Sequence, residues 1–194
     1  MEEAKRQRIL DAATNVFVQR GYKDTSIDDI ARVAGVAKGT VYLACESKAD
    51  LFYQVVHRDL KAWAAAISRF VDPRMAASEI ISKMAQNGPL YLAGHPLARG
   101  LFSGAHYGLL PDWTERFEQL RTMGRADVAE VIRMGIRSGE FRPDLDVEES
   151  AEILQDLTHA GYTLYGDRWA KDPAVAKRRI AGVLDFGLNG LRKR

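Results

Sequence analysis

Apolar residues recur at intervals of three and four along most of the chain, which is the pattern of amphipathic helices. The first apolar stripe predicts a helix from about Glu3 to Arg20, and Gly21 follows it as a natural C-terminal cap. No segment shows sustained alternation of apolar and polar residues, as a half-buried strand would. The pattern therefore predicts an all-α fold.

The most specific arrangement of polar and apolar positions lies at residues 21–50. A short second helix, a turn at Gly35 and a third helix over about Ala37–Ala44 follow one another. A long amphipathic helix then begins at Ser47 and extends to about Phe70. A short helix, a glycine turn and a second helix with exposed polar residues are typical of a helix-turn-helix. We therefore predict a DNA-binding domain at residues 1–50.

Proline, glycine and acidic cap residues divide the remainder of the chain into helices. They predict a second, helical domain at residues 51–194, in which we expect the dimer interface. Its later helices are expected at about 75–92, 96–107, 112–138, 147–167 and 174–191.

The last two predicted helices carry apolar stripes that contain several glycines. Glycine costs about 1 kcal/mol in a helix interior, so these glycines need a packing reason. A dimer interface between helix pairs is one such reason, and close packing within one subunit is the other. The residues expected at the dimer interface are Leu154, Leu157, Gly161, Leu164, Ile180, Val183, Leu184 and Gly187.

Charge and hydropathy narrow the possible compartments and partners. The 194 residues carry a formal net charge of only +2, and acids balance bases within residues 1–50, so bulk charge alone does not indicate nucleic-acid binding. No apolar run is long enough to span a membrane, and the N-terminus lacks a signal-peptide core. The sequence predicts a cytoplasmic protein without membrane association. The single cysteine, Cys45, permits no internal disulfide.

The stretch RILDAATNVFVQRGYKDTSIDDIARVAGVAKGTVY, followed by SKADLFYQVV, resembles the N-terminal domain of the TetR family of bacterial transcriptional repressors. The phrase GVAKGTVY is similar to the family's recognition-helix pattern almost position by position. The resemblance implies a homodimer that binds a palindromic double-stranded DNA operator and is released by a small effector. It also implies DNA contacts by Thr25, Ser26, Ala37, Lys38, Gly39, Thr40, Tyr42 and Lys48.

Residues 43–45 depart from the family pattern. The family usually carries further aromatic or histidine residues after Tyr42, whereas this chain has Leu43-Ala44-Cys45. Two hypotheses for Cys45 remain: a small apolar filler in the position of the usual Phe, or a redox-sensitive thiol.

Aromatic residues, histidines and methionines are frequent in the central helices, and a subset of them could line an effector cavity. Such a lining favours a hydrophobic or aromatic effector. The residues expected to contact it are Phe102, His106, Trp113, Phe117, His159 and Tyr162.

Two other functional classes stay open at this point. One is an architectural or interaction protein that uses the helix-turn-helix without reading a specific operator. The other is a helical enzyme, but no HExxH, paired Glu-x-x-His or nucleophile motif is present. We therefore expect no catalytic residues, no metal ligands and no cofactor.

Overall fold

The computed structural model describes residues 2–72, 74–92, 94–103, 106, 108–110 and 112–192. The side chains of residues 90, 113, 123, 165–171, 173 and 176 lie outside this description. None of the helices in the described ranges has the length and apolarity to cross a membrane. The helices are α1 Glu3–Arg20, α2 Ile27–Ala34, α3 Lys38–Tyr42, α4 Lys48–Ser68, α5 Ala77–Leu92, α6 Pro96–Phe102, α7 Trp113–Arg137, α8 Val147–Lys171 and α9 Pro173–Leu191.

The fold is all-α, as the sequence pattern predicts. In the described ranges β-pairing is limited to an isolated bridge between Phe141 and Arg192. Capping residues that can be recognised in the sequence set the ends of α2. The Ser26 side chain accepts from the Asp29 backbone N–H while the Asp29 side chain accepts from Ser26, a complete capping box at the start of α2. Gly35 ends α2 in the left-handed conformation, with φ 64°.

Two helices differ in length from the sequence prediction. α8 continues to Lys171, whereas α6 ends at Phe102 rather than near residue 107. The chain folds back after α6, and the His106 ring lies against Gly100, where a Cβ atom would come within 2.4 Å of it. Glycine at position 100 therefore leaves the space that the His106 ring occupies.

Two buried clusters organise the molecule. The first contains the apolar faces of α1 to α4, and it also takes in Leu97 and Leu101 from α6. The second is formed mainly by α5, α7, α8 and α9, and it includes Ala98 of α6. Leu60 of α4 packs against both clusters. The predicted boundary at residue 50 therefore falls within a continuous core, and α4 and α6 connect the two regions.

Helices α8 and α9 pack closely within the subunit. A methyl group at Gly187 would lie 3.1 Å from Leu154 and 3.3 Å from Leu157, so glycine permits this approach. Leu154, Ile180 and Leu184 are buried in the second cluster. Part of the glycine-containing stripe thus serves intrasubunit packing, which was the alternative to the dimer prediction.

Candidate nucleic-acid interface and ligand cavity

The short helix α3 presents one side to solvent. Val41 is fully buried and fixes the helix on the first core, while Ala37, Lys38, Gly39 and Tyr42 are exposed and Thr40 is half-buried. The side chain of Leu43, directly after the helix, is 72% exposed. The structure therefore brings five of the predicted DNA contacts together on one surface. It adds Leu43, which the sequence reading noted only as a departure from the family pattern.

The exposed lysine of α3 has an acidic partner within the protein. Lys38 Nζ lies 2.8 Å from Asp28 Oδ2 on α2. The hydrogen bond and negative charge of Asp28 raise the pKa of Lys38, so the lysine remains cationic at neutral pH. Any phosphate that binds Lys38 has to compete with Asp28 for its ammonium group.

Thr25 and Lys48 stabilise the loop between α1 and α2. The Thr25 hydroxyl is buried and donates to the Gly21 carbonyl at 2.7 Å. Lys48 Nζ donates to the carbonyls of Tyr22 and Thr25, both at 2.9 Å, and lies 4.3 Å from the centre of the Tyr22 ring. These contacts hold the start of α2 in place, where Ser26 is exposed. Phosphate contacts by Thr25 and Lys48 stay a prediction.

Cys45 lies beneath α3 and is buried. Its Sγ donates to the Val41 carbonyl at 3.5 Å. Desolvation, and then the negative charge of Asp50, raise the pKa of the thiol to about 11. Reactive cysteines need accessibility and a lowered pKa. The structure favours the apolar-filler hypothesis over the redox hypothesis.

A cavity of about 460 Å³ lies between α4, α5, α6, α7 and α8. Most of its wall is apolar, and it includes four of the six predicted effector contacts, Phe102, Phe117, His159 and Tyr162. The side chain of Trp113 lies outside the described residues. His106 is not part of the wall: its ring packs on Phe52, 5.2 Å between centroids, and its Nε2 lies 2.9 Å from the Leu97 carbonyl oxygen. We therefore exclude His106 from the effector contacts.

Aromatic rings meet around Phe102 in the cavity wall. Its ring centroid lies 4.9 Å from that of Trp63, 5.3 Å from Tyr162 and 5.7 Å from His159. Trp63 Nε1 donates to the Gly88 carbonyl and the Tyr162 hydroxyl donates to the Ala85 carbonyl. These hydrogen bonds orient the rings of Trp63 and Tyr162. Trp63 is part of the wall although the sequence did not lead us to expect it among the effector contacts.

Two histidines of the wall favour their neutral form. Burial, and then the charge of Lys61, lower the pKa of His57. Burial, and then the charge of Arg121, lower the pKa of His159. Across the described residues, no group of three or more His, Cys, Asp or Glu side chains is arranged to hold a metal ion. The wall offers mainly apolar contact and neutral hydrogen-bonding groups, together with the charged side chains of Lys61, Arg121 and Asp127.

Helix α6 connects this cavity to the region around α3. Leu101 and Phe102 line the cavity, whereas Leu97 and Leu101 belong to the first core. Asp59 of α4 caps α6, because its Oδ2 accepts from the backbone N–H groups of Leu97 and Ala98 at 3.0 and 2.9 Å. Movement of the cavity wall at α6 would therefore act on α4 and on the core that supports α3.

The predicted dimer residues divide between inward and outward positions. Leu154, Gly161, Ile180 and Leu184 are buried within the subunit, so we exclude them from an interface; Leu157, Val183 and Gly187 are half-buried. Leu164 is 68% exposed. Two exposed apolar residues were missed by the sequence reading, Ile153 on α8 and Phe186 on α9, the latter 83% exposed. The outward apolar face of α8 and α9 is therefore centred on Ile153, Leu164 and Phe186.

Comparisons with known proteins agree with this geometry. The family model described as bacterial regulatory proteins, tetR family, matches residues 9–55. YhgD of Bacillus subtilis, an uncharacterized HTH-type transcriptional regulator, is 28% identical over 183 residues, which are 94% of this chain and 93% of that protein. The HTH-type transcriptional repressor KstR2 of Rhodococcus jostii is 25% identical over 189 residues, 95% of this chain and 91% of that protein.

A solved structure shows the same fold over nearly the whole chain. It is the crystal structure of the transcriptional regulator FadR from Bacillus subtilis in complex with stearoyl-CoA, with a TM-score of 0.75 and 19% identity. The match covers 96% of this chain and 99% of the FadR chain. The matching recognition-helix domain, the full-length similarity to regulators and the shared fold lead to one conclusion. Residues 9–55 belong to the bacterial regulatory proteins of the tetR family, and nearly the whole chain is similar to HTH-type transcriptional regulators.

Proposed function

We propose that this protein is a homodimeric repressor that binds a palindromic operator and is released by a small hydrophobic effector. The observation that carries the proposal is the shared position of α6. Its Leu101 contributes to both the cavity wall and the core beneath α3. The cavity wall and the core that supports the DNA-binding surface therefore share a residue, so a ligand in the cavity acts on both.

In this proposal α3 enters the major groove. Lys38, Thr40 and Tyr42 reach base edges or phosphates, while Ala37 and Gly39 allow close approach of the backbone. Ser26 at the exposed start of α2 meets a phosphate, as helix N-termini favour anions. Lys48 and Thr25 act first by fixing the loop before α2, and Lys48 adds a phosphate contact. The protein works in the cytoplasm, where it meets chromosomal DNA, and has no catalytic role.

The dimer forms through the outward apolar face of α8 and α9. Exposed side chains as large as Phe186, Leu164 and Ile153 on one face favour burial against a second copy. A twofold dimer presents two copies of α3 to two half-sites, about one helical turn of DNA apart. This arrangement is the reason to expect a palindromic operator.

The effector occupies the cavity between α4 and α8. The apolar wall and the cluster of Phe102 with the rings of Trp63, Tyr162 and His159 favour a ligand with a substantial apolar body. Two comparisons support this class: FadR from Bacillus subtilis was solved with stearoyl-CoA, and KstR2 of Mycobacterium tuberculosis is described as a ketosteroid transcriptional regulator. A ligand that wedges against Leu101 and Phe102 moves α6, and Asp59 transmits that movement to α4.

The decisive experiment selects an operator from random duplexes and measures affinity by fluorescence anisotropy at several salt concentrations. Specific binding should exceed binding to random DNA by roughly 10³-fold or more. Equal affinity for selected and random DNA would favour the alternative function, an architectural protein without operator readout. Absence of any DNA binding contradicts both.

A further inference from the structure

The cavity wall contains three buried polar atoms that lack hydrogen-bond partners among the described residues. They are Nε2 of His57 on α4, Nε of Arg121 on α7 and Oε1 of Gln155 on α8. Buried polar atoms in folded proteins are normally satisfied by protein, water or ligand. Three such atoms on one otherwise apolar wall indicate a place where a bound molecule supplies the missing partners.

The orientation of Gln155 is fixed by a neighbouring helix. Its Nε2 donates to the backbone carbonyl of Arg121 at 2.9 Å. Gly124, also on α7, lies next to this amide: a methyl group there would be in ordinary contact with Gln155 Nε2, at 3.4 Å. The amide N–H is thus used within the protein. Its carbonyl oxygen, which can only accept, is left for a hydrogen-bond donor.

Arg121, whose backbone carbonyl accepts from this amide, has a guanidinium whose charge is already balanced. Nη2 donates to Asp156 at 2.5 Å, and Nε lies 3.5 Å from Glu118 Oε2 without forming a hydrogen bond. Nε–H can only donate, so it requires an acceptor. Lys61 and Asp127, the other charged residues of the wall, have opposite signs. The site therefore has little electrostatic preference for an anion.

We propose that the cavity binds an uncharged amphiphile with a hydroxyl or amide group. The group donates to Gln155 Oε1 and accepts from Arg121 Nε–H, while the apolar body lies among Trp63, Phe102 and Tyr162. A neutral His57 adds a donor or an acceptor at Nε2, according to its tautomer. A carboxylate would place its oxygens against the Gln155 carbonyl, and an ether or ester would leave that carbonyl unpaired. This inference rests on the proposed effector cavity and specifies its chemistry.

The test compares 1-decanol, 1-methoxydecane and decanoate, which share an apolar chain and differ in the polar end. Binding to the full-length protein without DNA is followed by tryptophan fluorescence, since Trp63 is part of the wall, and by isothermal titration calorimetry. The wild-type protein should bind 1-decanol about tenfold more tightly than 1-methoxydecane, the usual effect of one buried hydrogen bond. Decanoate should also bind more weakly than the alcohol.

A pair of matched variants tests whether Gln155 causes the preference for the alcohol over the ether. Gln155→Met removes the carbonyl and amide at similar length, and the alcohol and the ether should then bind with nearly equal affinity. Gln119→Met, at an exposed position of α7 outside the cavity wall, should retain the tenfold preference.

Equal binding of alcohol and ether by the wild-type protein overturns the proposal, as does tighter binding of decanoate. This holds whether or not Gln155→Met folds. Operator binding is measured on the same preparation. A protein that binds its operator but does not distinguish the three probes contradicts this inference alone and leaves the proposed function standing.

Discussion

Asp59 Oδ2 accepts a hydrogen bond of 3.0 Å from the backbone N–H of Leu97 and so joins α4 to the start of α6. The same oxygen accepts from Ala98, and Oδ1 lies 2.8 Å from His95 Nδ1. Carboxylate capping satisfies N–H groups that a helix leaves unpaired at its first turn. Because α4 also carries part of the core beneath α3, this carboxylate is the most direct link between the cavity wall and the proposed DNA-binding surface.

Replacement of Asp59 by alanine should therefore affect both stability and operator binding. Loss of the cap should lower the free energy of unfolding by about 1–2 kcal/mol. It should also lower operator affinity, because α4 is no longer held against α6, and it should speed hydrogen exchange of the Leu97 and Ala98 amides. Denaturant unfolding, anisotropy and hydrogen exchange measure the three effects.

Asp172 provides a matched control for this variant, since its side chain caps α9 by accepting from the Val175 N–H at 3.1 Å. Asp172→Ala should lower stability to a similar extent and leave operator affinity per folded dimer unchanged. If both variants reduce operator affinity equally, Asp59 has no special role in coupling.

The Asp28–Lys38 ion pair should limit the attraction of α3 for DNA. Asp28→Asn removes the partner of Lys38 and one negative charge from the surface proposed to meet phosphates. Affinity for a random duplex should rise roughly severalfold at low salt, and the gain should shrink as salt screens the charges. Asp24→Asn, at an exposed position of the preceding loop, removes the same charge without freeing Lys38. An equal gain in both variants would show that net charge, rather than release of Lys38, controls affinity.

Local signals along the chain predict much of the fold, and they do so for physical reasons. Ser26, Gly35 and Ser47 set helix ends through bonds to residues three or four positions away, which a sequence shows directly. The sequence pattern extends α6 to about residue 107, whereas the structure ends it at Phe102 and packs the His106 ring on Phe52 of α4. Contacts of that kind exist only once the helices have assembled.

The buried and exposed apolar residues of α8 and α9 show why the sequence alone could not define the proposed interface. Ile180 was expected at the dimer interface and is buried within the subunit, whereas Phe186 was not assigned to the interface and is exposed. Periodicity shows that a helix has an apolar face, but the positions of α5 and α7 decide which apolar residues the subunit itself covers. The cavity shows the same limit. Oε1 of Gln155 is unpaired because the backbone carbonyl of Arg121 orients the amide, and that contact forms only when α7 and α8 pack together.

A charge at the centre of the outward face should dissociate the proposed dimer. Phe186→Glu should shift the protein from dimer to monomer, because a buried unpaired carboxylate strongly disfavours an apolar interface. Sedimentation velocity measures the assembly, and operator affinity should fall with it. Val18→Glu changes another exposed apolar residue, on α1. It should leave the assembly unchanged, and dimers that persist in Phe186→Glu would place the interface elsewhere.

Lys48 should contribute to stability even without DNA. Lys48→Met removes two hydrogen bonds to carbonyls and the contact with the Tyr22 ring, so the free energy of unfolding should fall by about 1–2 kcal/mol. Lys23→Met, at an exposed position of the same loop, should change it little. If Lys48 also meets phosphate, the variant should flatten the salt dependence of DNA binding by about one unit. An unchanged slope with reduced stability would assign Lys48 a structural role only.

The buried thiol of Cys45 should make stability depend on pH in the alkaline range. Its folded pKa of about 11 lies above the value of about 8.5 expected for an unfolded thiol, so unfolding becomes easier once the unfolded thiol ionises. The contribution is fully present below about pH 8.5 and is lost as the pH rises towards 11. Urea unfolding of wild type and Cys45→Ala between pH 7.5 and 10.5 should show wild type losing more stability. A thiol reagent should modify the native protein far more slowly than the unfolded chain, and rapid native modification would revive the redox hypothesis.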